Sequence, residues 1–147
     1  MQRPIAKGVF TEGRDPRLLA GRRIADGKVV FPAPEGKAAE GFEIITLAPE
    51  GVLWSYTVQR FPPKPPYIGR GAEGAGARAA FRPYAVGYVE IPGQVIVESH
   101  ILAADLSALK VGLPMRLTTY AFVEDEDGTE VMTYAFEPAS APPQAHA

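Results

Sequence analysis

The stretch Tyr84-Ala-Val-Gly-Tyr-Val-Glu-Ile-Pro-Gly-Gln-Val-Ile-Val-Glu-Ser-His-Ile-Leu102 decides the fold. Two runs rich in Val, Ile and Tyr, Tyr84–Ile91 and Gln94–Leu102, flank Pro92-Gly93, a dipeptide with turn chemistry. That arrangement predicts two consecutive antiparallel strands joined as a tight hairpin. In the second run Val95, Val97, Ser99 and Ile101 share one face, while Ile96, Glu98 and His100 share the other. Such a pattern suits a barrel wall with one side in the core.

Working outward, Met115–Glu124 and Glu130–Glu137 read as a second hairpin, joined by Asp125-Glu126-Asp127-Gly128-Thr129. Between the hairpins lies Asp105-Leu-Ser-Ala-Leu-Lys-Val-Gly112, where an Asp suited to a helix N-cap and a terminating Gly predict one helical turn. Upstream, Val52–Phe61 predicts a strand with Leu53, Ser55, Thr57, Gln59 and Phe61 on one face and Trp54, Tyr56, Val58 and Arg60 on the other. Neither face is cleanly polar. A further strand is predicted at Phe42–Leu47, and a brief helix at Asp15–Arg23, with Pro16 at its start. These elements predict a mainly β chain: a small closed or partly closed antiparallel barrel of five or six strands over residues 42–138, a small appendage at 1–41 and a disordered tail at 139–147.

Composition narrows the chemistry. A chain of 147 residues, 46% hydrophobic and 22% charged, serves one hydrophobic core. A net charge of -2 offers no general attraction to nucleic-acid phosphates. With no cysteine, disulfides, thiolate zinc sites and cysteine nucleophiles are excluded. Of the two histidines, His146 stands in the Ala/Pro-rich tail, which leaves His100. Glu98 shares a strand face with His100 but Ser99 points the other way, so no local triad forms. Met1–Val9 lacks the apolar core of a signal peptide and no run is long enough to span a bilayer, so a cytoplasmic location is expected.

Other candidates are weaker. Glu124, Asp125, Glu126 and Asp127 lack the spacing of a cation-binding loop and read as an acidic, soluble hairpin tip. Pro62-Pro63-Lys64-Pro65-Pro66 leads into the low-complexity run Gly69–Ala80, which lacks the spacing of a phosphate-binding P-loop. Arg70, Arg78 and Arg82, with Lys64, nevertheless put cations in or beside this segment; it reads either as a solubilising loop or as one that meets phosphates or an acidic partner. The many aromatic residues, Trp54, Tyr56, Tyr84 and Tyr88 among them, suit either a core or a stacking platform for bases.

The order of several segments resembles the family called domain of unknown function 35 (DUF35), an acyl-CoA-associated OB-fold normally preceded by a rubredoxin-like zinc ribbon. The resemblance is carried by Leu18-Leu-Ala-Gly-Arg-Arg23, Gly27 with Phe31-Pro32, Gly51-Val-Leu-Trp-Ser-Tyr-Thr-Val58, Phe61-Pro62-Pro63, Pro83-Tyr-Ala-Val-Gly-Tyr-Val-Glu90 and Leu109-Lys-Val-Gly-Leu-Pro-Met115. It spans most of residues 18–137. The family's ribbon supplies four cysteines in two CxxC pairs; here Arg23 and Asp26 stand in the first pair's frame and Lys37 and Glu40 in the second's. Two cations and two anions cannot hold a structural zinc. They either pair across the two knuckles or are solvated surface charges.

The resemblance implies a non-catalytic accessory subunit of a thiolase-like partner enzyme (a thiolase, a hydroxymethylglutaryl-CoA-synthase-like enzyme or a retro-aldolase), in a hetero-oligomer that shapes or bridges a site for CoA or acyl-CoA, with residues 1–41 as its docking segment. The expected ligand or partner contacts are Tyr56, Phe61, Pro62, Pro63, Tyr67, Arg78, Arg82 and Tyr84, which flank the long loop at one end of the barrel. The rival readings are an OB-fold that binds single-stranded nucleic acid and a stand-alone acyl-CoA-binding protein, hydrolase or lyase.

Overall fold

Strands β6 (Tyr84–Ile91) and β7 (Val95–Ile101) pair antiparallel across the turn at Pro92-Gly93. The turn is closed by the Gln94 amide, which donates to the Ile91 carbonyl at 2.9 Å. Gly93 takes φ 73°, the left-handed value that this turn requires after a Pro. The computed structural model describes residues 2–4, 8–60, 82–124 and 126–139, without the side chains of Arg3 and Val123. The 69–81 loop, most of the 139–147 tail and Phe61, Pro62, Pro63, Tyr67 and Arg78 fall outside the described residues.

On one side of this hairpin lies β5 (Glu50–Gln59), antiparallel to β6; β8 (Pro114–Glu124) and β9 (Glu130–Pro138) form the second hairpin. The order β9-β7-β6-β5-β8 closes through β8–β9 into a five-strand barrel, the OB arrangement. Five strands cannot alternate direction all the way round a ring. The structure places the one parallel seam between β7 and β9, where Ile101 pairs with Phe136. A short strand β1 (Gln2–Pro4) adds itself parallel to β9. The turn predicted between β7 and β8 is a 3-10 turn at Leu106–Ala108, with the Asp105 carboxylate accepting from the Ser107 amide. Gly112, at φ 92°, follows it.

The mixed faces of β5 have a cause: a bulge between Leu53 and Ser55. Leu53 faces the core opposite Val89; after the extra residue, Tyr56 and Val58 face it opposite Gly87 and Ala85. The simple alternation predicted for Val52–Phe61 therefore fails after Leu53, because a bulge puts two residues against one and resets the pleat. Trp54, the extra residue, is left outside. Gly87 lets the strands come together here, since a Cβ on it would lie 2.7 Å from the Ser55 carbonyl oxygen.

The appendage is also β. Strands β2 (Leu19–Arg23), β3 (Val29–Val30) and β4 (Phe42–Thr46) form a separate sheet in the order β3-β2-β4. Two predictions change here. The helix expected at Asp15–Arg23 does not form, because β2 is paired on both edges and Gly21 is packed so closely that a Cβ would lie 2.5 Å from the Pro34 ring. The Phe42–Leu47 strand pairs with β2 and not with the barrel, which therefore has five strands. The two sheets share a core: Leu18, Ala20 and Leu47 pack in one cluster with Leu53, Val89, Ile101 and Phe136. Phe31 meets Tyr134 of β9 edge-on at 5.8 Å.

Among the described residues Glu137 is the buried charge, and Arg116 answers it with a 3.0 Å ion pair while also donating to the Ala139 carbonyl. Removing one partner of a buried pair strands the other charge. Arg116→Ala is expected to destabilise the fold by about 3 kcal/mol in chemical denaturation, with Arg116→Ala/Glu137→Leu recovering part of the loss.

Candidate functional site

Among the clefts that the described residues form around β6 and β7, two are the larger. The first, about 590 Å³, is bounded by Arg60 and Arg82 on one side and by Tyr84, Asp105 and Leu106 on the others. Gln59 pairs with Tyr84, so the antiparallel register brings the two ends of the β5–β6 connection together and places Arg60 beside Arg82. Arg82 and Tyr84 were expected contacts and they share this cleft. Arg60 was assigned only to a strand face; the hairpin register was the signal that would have found it. Tyr56 is placed differently, because it lies on the core side and its hydroxyl donates to the Leu109 carbonyl at 2.7 Å, fastening the segment after the 3-10 turn to β5.

The second cleft, about 700 Å³, is lined by Val86, Glu98, His100, Tyr120, Phe122 and Tyr134. Rings run across it in series. Tyr84 stacks on His100 at 5.2 Å and 6°, His100 meets Tyr120 at 6.2 Å, and Tyr120 meets Phe122 edge-on at 6.5 Å. Tyr120 is buried with Leu102 and Ala135 in a small second cluster that backs this wall. Burial raises the Tyr134 phenol above its ordinary pKa of 10.0, and the nearby Glu98 charge adds to the shift; its hydroxyl donates to the Glu98 carbonyl at 3.0 Å. Ser99 is buried on the core side and donates to the His100 carbonyl at 2.7 Å. Ser99 and His100 both border the cleft but stand on opposite faces of the strand, since successive strand residues alternate.

At the small sheet, Arg23 and Asp26 form an ion pair of 3.0 Å within the turn Arg23–Gly27, which the Gly27 amide closes onto the Arg23 carbonyl at 2.7 Å. Lys37 and Glu40 bracket the other turn, where the Glu40 amide donates to the Lys37 carbonyl at 3.1 Å. Pairing is therefore within a knuckle and not across the two, since each turn folds on its own backbone and Asp26 is already engaged by Arg23 and the Lys28 amide. Lys37 and Glu40 join no ion pair among the described residues. This set does not fit zinc: two members are cations, and the Asp26 carboxylate is committed elsewhere. Among the described residues, no group of three or more His, Asp or Glu side chains is placed to hold a metal ion.

Comparison with known proteins settles the family. Residues 45–120, just over half of the chain, match the family described as the C-terminal OB-fold domain of ChsH2. The chain belongs to the DUF35 OB-fold family. Among solved structures, this DUF35 chain is similar to one titled "Ltp2-ChsH2(DUF35) aldolase", with 21% identity and a TM-score of 0.58 over 84% of this chain and 85% of that one. The likeness is one of fold. Among curated proteins, none matches the DUF35 chain. No described helix is long and apolar enough to cross a membrane.

The Lys28 amide and the Arg23 side chain hold the Asp26 carboxyl below its ordinary pKa of 3.8. A depressed folded-state pKa contributes stability above the unfolded value that is lost as pH falls through the folded one. Asp26→Asn is expected to lower the melting temperature slightly at pH 7, and the gap between the two proteins should close as pH falls below that of the folded carboxyl.

Proposed function

We propose that this DUF35 chain is a non-catalytic accessory subunit in a hetero-oligomeric complex that acts on acyl-CoA thioesters, with a thiolase-like enzyme as the partner that holds the nucleophile. The carrying observation is the fold likeness, over 84% of this chain and 85% of the other, to a chain whose title names an aldolase with a DUF35 component. The side chains support the reading. The chain has no cysteine, Ser99 and His100 face opposite ways, and the described residues hold no metal cluster. A thioester-processing reaction needs a nucleophile or an activated water, and a partner subunit is the natural source.

The Arg60–Arg82 cleft supports a contact with CoA. Two guanidinium groups at one rim suit phosphate oxygens, and the Tyr84 ring beside them suits a flat base. The same reading makes the β2–β4 sheet a zinc ribbon that has lost its metal, with Arg23, Asp26, Lys37 and Glu40 at the former cysteine positions. The single-stranded nucleic-acid reading is disfavoured on the face where OB-folds bind strands, because Glu90 and Glu98 stand there and would repel phosphates.

Co-expression with a thiolase-like enzyme from the same source should yield a stable complex through gel filtration; separate elution would sink the accessory-subunit reading. In that complex, Arg60→Glu/Arg82→Glu is expected to weaken CoA binding at least tenfold by calorimetry, with the complex intact. Metal analysis of the purified chain should find well below one equivalent of zinc, and a stoichiometric amount would overturn the degenerate-ribbon assignment.

A further inference from the structure

The outward face of β5, β6 and β7 serves neither the core nor the Arg60–Arg82 cleft. Antiparallel register aligns Val52, Glu90 and Ile96 in one row across the three strands, and Ser55, Tyr88 and Glu98 in the next. Trp54, the extra residue of the bulge, lies against Tyr88 edge-on at 6.4 Å. Trp54 is 54% exposed, Tyr88 43% and Ile96 41%. Single exposed apolar residues are ordinary on a protein surface, but a contiguous group that includes Trp and Tyr marks an interaction surface. The bulge shapes this patch: in a regular strand Trp54 and Tyr56 would share a face, and the extra residue leaves Trp54 outside while Tyr56 turns to the core side.

Charge says what kind of surface fits. The charged residues of the two rows are Glu90 and Glu98, with neither Lys nor Arg among them. Glu98 joins no ion pair among the described residues, and it lines the aromatic cleft beside His100 and Tyr134. A carboxylate at the edge of several rings accepts a guanidinium or ammonium group by both charge and cation–π attraction.

We infer that this face is the docking surface for the partner enzyme, which presents an apolar segment carrying an Arg or Lys. The apolar part covers Trp54, Tyr88 and Ile96, and the basic side chain reaches Glu98. This rests on the accessory-subunit reading above and adds to it a location and a charge pattern. It also leaves the Arg60–Arg82 cleft open beside the docked partner, where a shared ligand is reached from both chains.

The test uses the full chain co-expressed with the thiolase-like enzyme, with affinity measured on the purified pair. Trp54→Ser should weaken the complex about 30-fold, the loss that a central aromatic anchor carries. Glu98→Lys should weaken it about tenfold and reduce its sensitivity to salt. Ile44→Ser, an exposed apolar position on the small sheet, is the control and should leave affinity unchanged. A complex that forms with native affinity in both Trp54→Ser and Glu98→Lys overturns this surface while leaving the accessory role standing; no complex with the unaltered chain overturns both. An equal loss with Ile44→Ser overturns the assignment to this face. A homodimer of the isolated chain that Trp54→Ser converts to monomer, without change in partner affinity, gives the face to a second copy instead.

Discussion

Closing a ring from five strands forces one neighbouring pair to run in the same direction, and much of this molecule follows from where that pair falls. At the β7–β9 seam the ladder is short: Ile101 pairs with Phe136, and the Leu102 amide donates to the Phe136 carbonyl at 2.8 Å. Side chains complete the seal. Ile101 and Phe136 bury themselves inside, while Leu102, Tyr120 and Ala135 cluster on the other side. Because Tyr120 takes part in that seal, the ring series Tyr84, His100, Tyr120 and Phe122 has a fixed anchor at the wall of the larger cleft. The polar device that fastens β7's exit is the Tyr56 hydroxyl on the Leu109 carbonyl, which ties the crossover to the first barrel strand.

The bulge in β5 solves a second problem of closure. A strand that must bend around a small barrel gains curvature from one extra residue. The close approach at Gly87 accompanies it, and so does a similar one at Gly51, where a Cβ would lie 2.5 Å from the Glu90 carbonyl oxygen. The cost of this geometry is a large apolar side chain, Trp54, left facing outward. The feature that bends the wall thus also leaves Trp54 against Tyr88 on its outer face.

In the zinc-free ribbon reading, turn hydrogen bonds and the Arg23–Asp26 pair keep the knuckles, and apolar packing keeps the small sheet. Leu18, Ala20 and Leu47 enter the barrel's own core, so the sheet's position is set by burial and not by its exposed ions. Exposed pairs contribute less than about 1 kcal/mol each, whereas full burial of a Leu contributes about 1.5 to 3.

Local chemistry made most of the barrel legible. Pro92-Gly93, Asp105 and the alternation in Gln94–Leu102 each specify a turn, a cap or a face from residues close in the chain, and these stand where they were read, although the helical turn already ends at Leu109 and not at Gly112. The two-sheet plan was legible only by resemblance. Beyond local chemistry lay whatever depends on partners distant in sequence. Leu19–Arg23 becomes a strand because Phe42–Thr46 and Val29–Val30 flank it, and its own residues, Gly21 included, carry no strong strand signal. The bulge at Trp54 depends on the opposing strand, and the meeting of Arg60 with Arg82 depends on the register between β5 and β6. The sequence by itself determined the hairpins, the caps and the absence of thiol chemistry. Tertiary structure alone decided the parallel seam, the outward Trp54 and the grouping of charges around the clefts, because ring closure and register are relations between strands that no single segment encodes.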